Sequence, residues 1–187
     1  VRSLRLPRTT ALLVAAVLVA PSAVAVSTFS AERAAVLRPT LDAPFPAGPV
    51  MVLGGFPERL AWARAELPGA GSEAGRVLVV SANAVLDFTT SGGDCDRPLV
   101  RCVVPDPYTT RGEAEVAAAL AAAEGWDRLT VVTSAWHARR VRLLFAACLD
   151  VPLAVVGVGD PSDVPVGRLP RELAGSVEAR LRPACGA

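Results

Sequence analysis

The only histidine in the chain, His137, sits in Val132-Thr133-Ser134-x-x-His137-x-x-Arg140. An imidazole that stays neutral at pH 7 can take or give a proton or hydrogen-bond a ligand. His137 falls at the start of a helix with Arg139 and Arg140 beside it, and both settings disfavour the imidazolium. Arg140, Ser134 and the free N–H groups of such a turn are the groups that hold a phosphate or carboxylate. An anion bound there would raise the His137 pKa again and let it act as an acid toward a leaving oxygen. Two further clusters share this character: Gly54-Gly55 with Glu58-Arg59, and Thr109-Thr110-x-x-Glu113. The candidate acid/base pair is Glu113 and His137, and the candidate anion clamps are Arg59 and Arg140. Ligand contacts are expected from Gly54, Gly55, Ser81, Asn83, Thr109, Thr110, Thr133 and Ser134.

Each cluster also has a structural reading. Thr110-x-x-Glu113 fits a capping box, Asn83 suits a turn, and a glycine pair serves any tight strand-to-helix turn. The sequence has neither G-x-G-x-x-G nor a G-K-[ST] loop, so no cofactor is identified. It has no metal-binding cluster, which argues against two-metal hydrolysis. It has no G-x-S-x-G elbow, which makes nucleophilic hydrolase chemistry the weaker option.

The elements that must position these residues alternate. Val50-Met-Val-Leu53, Arg76 to Val80, Leu99 to Val104, Leu129 to Val132 and Pro152 to Val156 are short apolar runs of the kind found in parallel strands buried on both faces. Helices are predicted from Pro57 to about Leu67, from Thr109-Thr110 to about Glu124, from His137 onward with Val141, Leu144 and Phe145 on one side, and from Arg171 to Leu181. Thr133 or Ser134 is the expected cap of the His137 helix. Residues 84–99 read as a long excursion. The fold class is therefore α/β, a doubly wound, mainly parallel five-stranded sheet, Rossmann-like, with the candidate residues at strand ends where such sheets bind ligands.

The 187 residues suffice for one domain plus an N-terminal appendage. Arg2, Arg5 and Arg8 precede an apolar run from about Ala11 to Val26, the pattern of an export signal or single membrane anchor, with Ala23-Val-Ala25 resembling a cleavage site. The expected division is 1–26 signal or anchor, 27–48 a proline-bearing linker, and 49–187 the α/β domain. A formal net charge of +1 excludes a strong electrostatic case for nucleic acid. The chain has no Lys, Ile or Gln, so its arginines reflect compositional bias as well as chemistry. Four cysteines suit an oxidising compartment and disulfides rather than zinc. Cys95 with Cys102 would close a short loop and Cys148 with Cys185 would tether the tail, but all three pairings stay open.

Taken together, Val52-Leu53-Gly54-Gly55 with Glu58-Arg59, Thr109-Thr110-x-x-Glu113-Ala114, and Val132-Thr133-Ser134-x-x-His137-x-x-Arg140 resemble the SanA/ElyC/YdcF-like family over residues 50–157. The chain departs from the family pattern at Gly48-Pro49, where an acid is usual, and at Ser81-Ala-Asn83, where Ser-Gly is usual. The resemblance implies a Rossmann-like domain outside the cytoplasmic membrane on an N-terminal anchor, or secreted. It also implies links to cell-wall or lipid-carrier metabolism, with S-adenosylmethionine suggested only for cytoplasmic relatives. The expected partner is an anionic small molecule or lipid-linked precursor, and the membrane itself if the N-terminal segment is retained. The expected function is a cleft for a phosphate- or nucleotide-like group; the alternative is a non-catalytic scaffold or sensing module that uses the same cleft.

Overall fold

The structure, a computed structural model, describes residues 25–72, 76–182 and 185. The expected signal or anchor lies almost entirely outside them. Among the described residues no helix is long and apolar enough to cross a membrane.

Five strands, β1 (Val50–Val52), β2 (Leu78–Ser81), β3 (Val100–Val103), β4 (Leu129–Ser134) and β5 (Leu153–Val158), form one sheet in the order β3-β2-β1-β4-β5. Every pairing is parallel, with Met51 opposite both Val79 and Val131. The helices are α1 (25–37), α2 (Pro57–Glu66), α3 (Ala84–Thr90), α4 (Thr110–Glu124), α5 (Ala138–Ala146) and α6 (Arg168–Leu181). A 3₁₀ turn, Ala135–His137, joins β4 to α5. Rossmann-like winding follows from the alternation of side chains along each strand. Val50 and Val52 join Leu60, Ala63 and Phe88 of α2 and α3 on one face. Met51 and Leu53 join Ala114, Ala117, Val141 and Phe145 of α4 and α5 on the other. Strand order reverses between β1 and β4, and ligands of such sheets bind in the crevice at the carboxyl ends there.

Two stretches differ from the sequence reading. Residues 25–37, which span the end of the expected signal or anchor and the start of the expected linker, are helical, because every proline of that linker lies at Pro39 or beyond and the helix ends just ahead of it. Val36 is fully buried, and Glu32 pairs with Arg139 at 3.2 Å and with Arg180. Beyond α1 the chain follows the outer edge of β5. Asp42 N–H donates to Val155 O (3.0 Å), and Val155 N–H donates to the Asp42 carboxylate (2.8 Å). An exposed edge strand is thereby covered. The 84–99 excursion begins as α3, which buries Ala84 and Phe88. Cys95–Cys102 and Cys148–Cys185 are the disulfides, with Cα separations of 5.6 and 5.0 Å.

Phe145 is the largest fully buried side chain and lies between α5 and the sheet. Phe145→Ala should destabilise the domain by about 3–5 kcal/mol, read as a lower urea midpoint. A loss under about 1 kcal/mol would contradict this packing.

Candidate functional site

The carboxyl ends of β1, β3 and β4 meet the start of α6 around a cleft of about 130 Å³. Its walls are Gly54, Gly55 and Phe56 after β1, Arg59 of α2, Thr110 and Glu113 of α4, Trp136 and His137 after β4, Arg140 of α5, and Arg168 and Glu172 of α6. Most of the expected site residues thus converge although they are far apart in sequence.

Gly54 is required by a close approach: a Cβ there would lie 2.7 Å from Ala82 Cβ and 2.8 Å from Asn83 N. Gly55 takes φ +110, a left-handed conformation open to glycine. The turn aims Gly54 N–H at Glu113 Oε1 (3.2 Å), and Ser81 Oγ donates to the same oxygen (2.8 Å). Glu113 is therefore not part of a capping box. The cap falls one residue earlier, at Thr109, whose hydroxyl accepts from Gly112 N–H (3.2 Å). Burial pushes the Glu113 pKa up, against the pull of Ser81, Gly54, Arg59 and Arg140.

Neither expected anion clamp has a free fork. Arg59 is 2% exposed; its Nε donates to Ser134 Oγ (3.0 Å) and its Nη1 to the carbonyls of Leu53 (3.3 Å) and Gly54. Burial lowers its pKa to about 10. It ties the β1 and β4 ends together. Arg140 is held by Glu172 through two bonds of 3.0 Å. Of the three cleft arginines, only Arg140 is ion-paired; Arg59 is spent on carbonyls and a hydroxyl, and the Arg168 guanidinium lies 5.9 Å from the Phe56 ring.

Phe56, Trp136, Arg168 and Glu172 line the cleft although motif reading named none of them, and Glu172 matters most for the imidazole. It is 1% exposed and accepts from His137 Nδ1 at 2.7 Å. Burial raises its pKa, but the His137 bond and Arg140 outweigh this, and the net shift is downward. An ionised carboxylate only accepts, so Nδ1 carries the imidazole proton and Nε2 is left as an acceptor, 3.3 Å from Thr110 Oγ1. The signal was present in the buried stripe of α6, Glu172, Leu173, Ser176 and Ala179, where a carboxylate stands at an apolar position.

The chain matches no family model, no curated protein and no solved structure.

The remaining expected residues play other parts. Ser81 and Ser134 are buried behind the cleft as partners of Glu113 and Arg59. Thr133 is buried with no partner for its hydroxyl and does not line the cleft. Asn83 is exposed and bonds Tyr108 Oη. Thr109 lines a neighbouring recess of about 150 Å³, separated from the cleft by Thr110 and Arg140.

His137 is neutral for a reason other than the one its helix position suggests. It precedes α5 at the end of a 3₁₀ turn, and burial is the main cause lowering its pKa to about 4. Arg140 of α5 and Arg59 of α2 act in the same direction, while Glu172 of α6 opposes them. Because the folded value lies below the unfolded value of about 6.5, this group's share of stability is complete above pH 6.5. It declines as pH falls toward 4. An NMR titration of the imidazole should show the Nδ1–H tautomer at pH 7 and a midpoint near 4. Glu172→Gln should move that midpoint lower still. A midpoint above about 6 would contradict the burial argument.

Proposed function

We propose that this chain is a cell-envelope protein of the SanA/ElyC/YdcF-like type whose cleft binds the phosphate group of a lipid-linked precursor, with His137 as the proton-transfer group. The observation that carries this reading is the charge of the walls. Arg59, Arg140 and Arg168 face one ionised carboxylate, Glu172, while burial biases Glu113 toward its neutral form. Such a cleft attracts anions, and its dry walls strengthen the attraction. Arg168 supplies the free charge-assisted donors. His137 Nε2 faces the same space and is able to take a proton from, or return one to, an oxygen on phosphorus.

The rest of the molecule supports the envelope and lipid parts of the reading. Two disulfides favour an oxidising compartment. An apolar groove of about 1010 Å³ runs between α1 and α6, lined by Phe29, Leu169, Leu173 and Val177. It adjoins the cleft through α6, where Arg168 and Glu172 face the cleft and their neighbours Leu169 and Leu173 face the groove. A lipid-linked phosphate in the cleft would have this apolar surface of α6 nearby for its hydrocarbon tail. Val26, the last residue of the apolar run in the sequence, lies in α1, one wall of this groove.

Calorimetry tests this directly. Inorganic phosphate should bind, Arg168→Ala should weaken it about 10-fold or more, and a polyprenyl phosphate in detergent should bind more tightly than inorganic phosphate. Equal affinity in wild type and Arg168→Ala, or no binding of either compound, would overturn the reading.

A further inference from the structure

The cleft contains a hydroxyl, an imidazole and a carboxylate in sequence: Thr110 Oγ1 lies 3.3 Å from His137 Nε2, and His137 Nδ1 lies 2.7 Å from Glu172 Oε2. From this arrangement we propose that Thr110 is a nucleophile that forms a covalent phosphoester intermediate, with His137 as its base and Glu172 as the positioning residue. The proposal rests on the phosphate reading above and adds a chemical step to it.

The order of partners is what a nucleophile–base–orienter relay requires. Glu172 fixes the imidazole tautomer and leaves the lone pair of Nε2 toward Thr110. Of the other hydroxyls at the strand ends, Ser81 donates to Glu113, Ser134 accepts from Arg59, Thr109 caps α4, and Thr133 is buried outside the cleft lining. Thr110 is 9% exposed and lines both the cleft and the recess beyond it, so an electrophile can reach Oγ1 while bulk water is largely kept away. A separation of 3.3 Å is usual before substrate binds and shortens in the reacting complex. The relay is built from three elements, α4, the β4–α5 turn and α6. Its carboxylate is buried on a helix face that otherwise holds Leu173, Ser176 and Ala179.

In the first half-reaction the Thr110 Oγ1–P bond forms and the bond from phosphorus to the leaving oxygen breaks. The hydroxyl proton passes to Nε2 and then to that oxygen. In the second, water attacks phosphorus, its proton passes to Nε2, the Oγ1–P bond breaks, and Oγ1 recovers the proton. No electrons are exchanged and no co-reactant other than water is needed. Arg168 and Arg140 flank the phosphoryl oxygens, and Glu113 lies across the cleft, where its protonated form can hydrogen-bond the leaving oxygen without transferring a proton.

Diisopropyl fluorophosphate provides a probe independent of the natural substrate. Attack by Oγ1 forms an O–P bond and expels fluoride, and intact mass followed by peptide mapping locates the adduct. A single adduct on Thr110 is expected. Thr110→Ala should take none while keeping the wild-type urea midpoint, and Thr110→Ser should label within about 10-fold of wild type. His137→Ala should slow labelling by about 10²–10⁴-fold. The wild-type rate should rise with pH as Nε2 is freed, and Glu172→Gln should move that profile to lower pH as well as reduce its plateau. The charged groups facing the imidazole are Glu172 and Arg168 from α6, Arg140 from α5, Arg59 from α2 and Glu113 from α4, so these five are held constant in the other variants. No adduct in wild type, or an adduct on any other residue, overturns the nucleophile. Phosphate calorimetry separates the two claims. Phosphate binding without labelling leaves the anion cleft standing and removes the relay, whereas labelling of Thr110 without phosphate binding keeps the relay and removes the phosphate reading.

Discussion

A single buried hydrogen bond, from His137 Nδ1 to Glu172 Oε2, holds the candidate site together. A carboxylate with 1% exposure is tolerable only when paired and bonded. Here His137 and Arg140 take up both of its oxygens. Removing either the imidazole or the carboxylate would strand a polar group in the interior, a cost of about 1–3 kcal/mol or more. The same bond closes the cleft, because it docks α6 against the β4–α5 turn. Even the backbone of α6 is shaped to it: a Cβ at Gly175 would lie 2.6 Å from Arg140 Cδ, so glycine leaves room for the arginine stem that reaches Glu172.

The other half of the cleft comes from sheet topology. With β1 and β4 adjacent and their crossovers on opposite faces, the loops that leave them diverge and open a crevice. Gly54 lets the β1 loop press against residues 81–83, and its N–H reaches Glu113 from there. Arg59 then bonds the carbonyls of Leu53 and Gly54 and the hydroxyl of Ser134, so the two strand ends share one guanidinium. The arginine that looks most like a ligand clamp is thus the rivet of the turn, whereas Arg168 has no ion pair among the described residues and supplies the donors of the proposed anion site.

This division explains what the sequence makes legible and what it does not. Short β-branched runs separated by helical spacing specify a parallel α/β sheet, because strands buried on both faces must be apolar throughout. Convergence of Gly54, Thr110, Glu113 and His137 follows, since strand order brings their loops to one edge. The identity of hydrogen-bond partners does not follow. Thr109 and Thr110 are equivalent caps in one dimension, and only the geometry of α4 chooses Thr109 and frees Glu113. Arg59 and Arg140 read as free cations until their carbonyl and carboxylate partners are seen. Glu172 sits 35 residues from His137, outside any motif. Its sole trace is a charge on the apolar stripe of the last helix. Helix α1 was hidden in a stretch whose prolines all fall after its end.

The central claim is that His137 and Glu172 act as one unit, and a double-mutant cycle measures this most directly. Urea unfolding of wild type, His137→Ala, Glu172→Ala and the double variant gives their coupling free energy. A coupling of at least about 1.5 kcal/mol is expected for a buried, bonded pair. Additive losses, within about 0.5 kcal/mol, would mean that the pair is not joined in solution and would contradict the account.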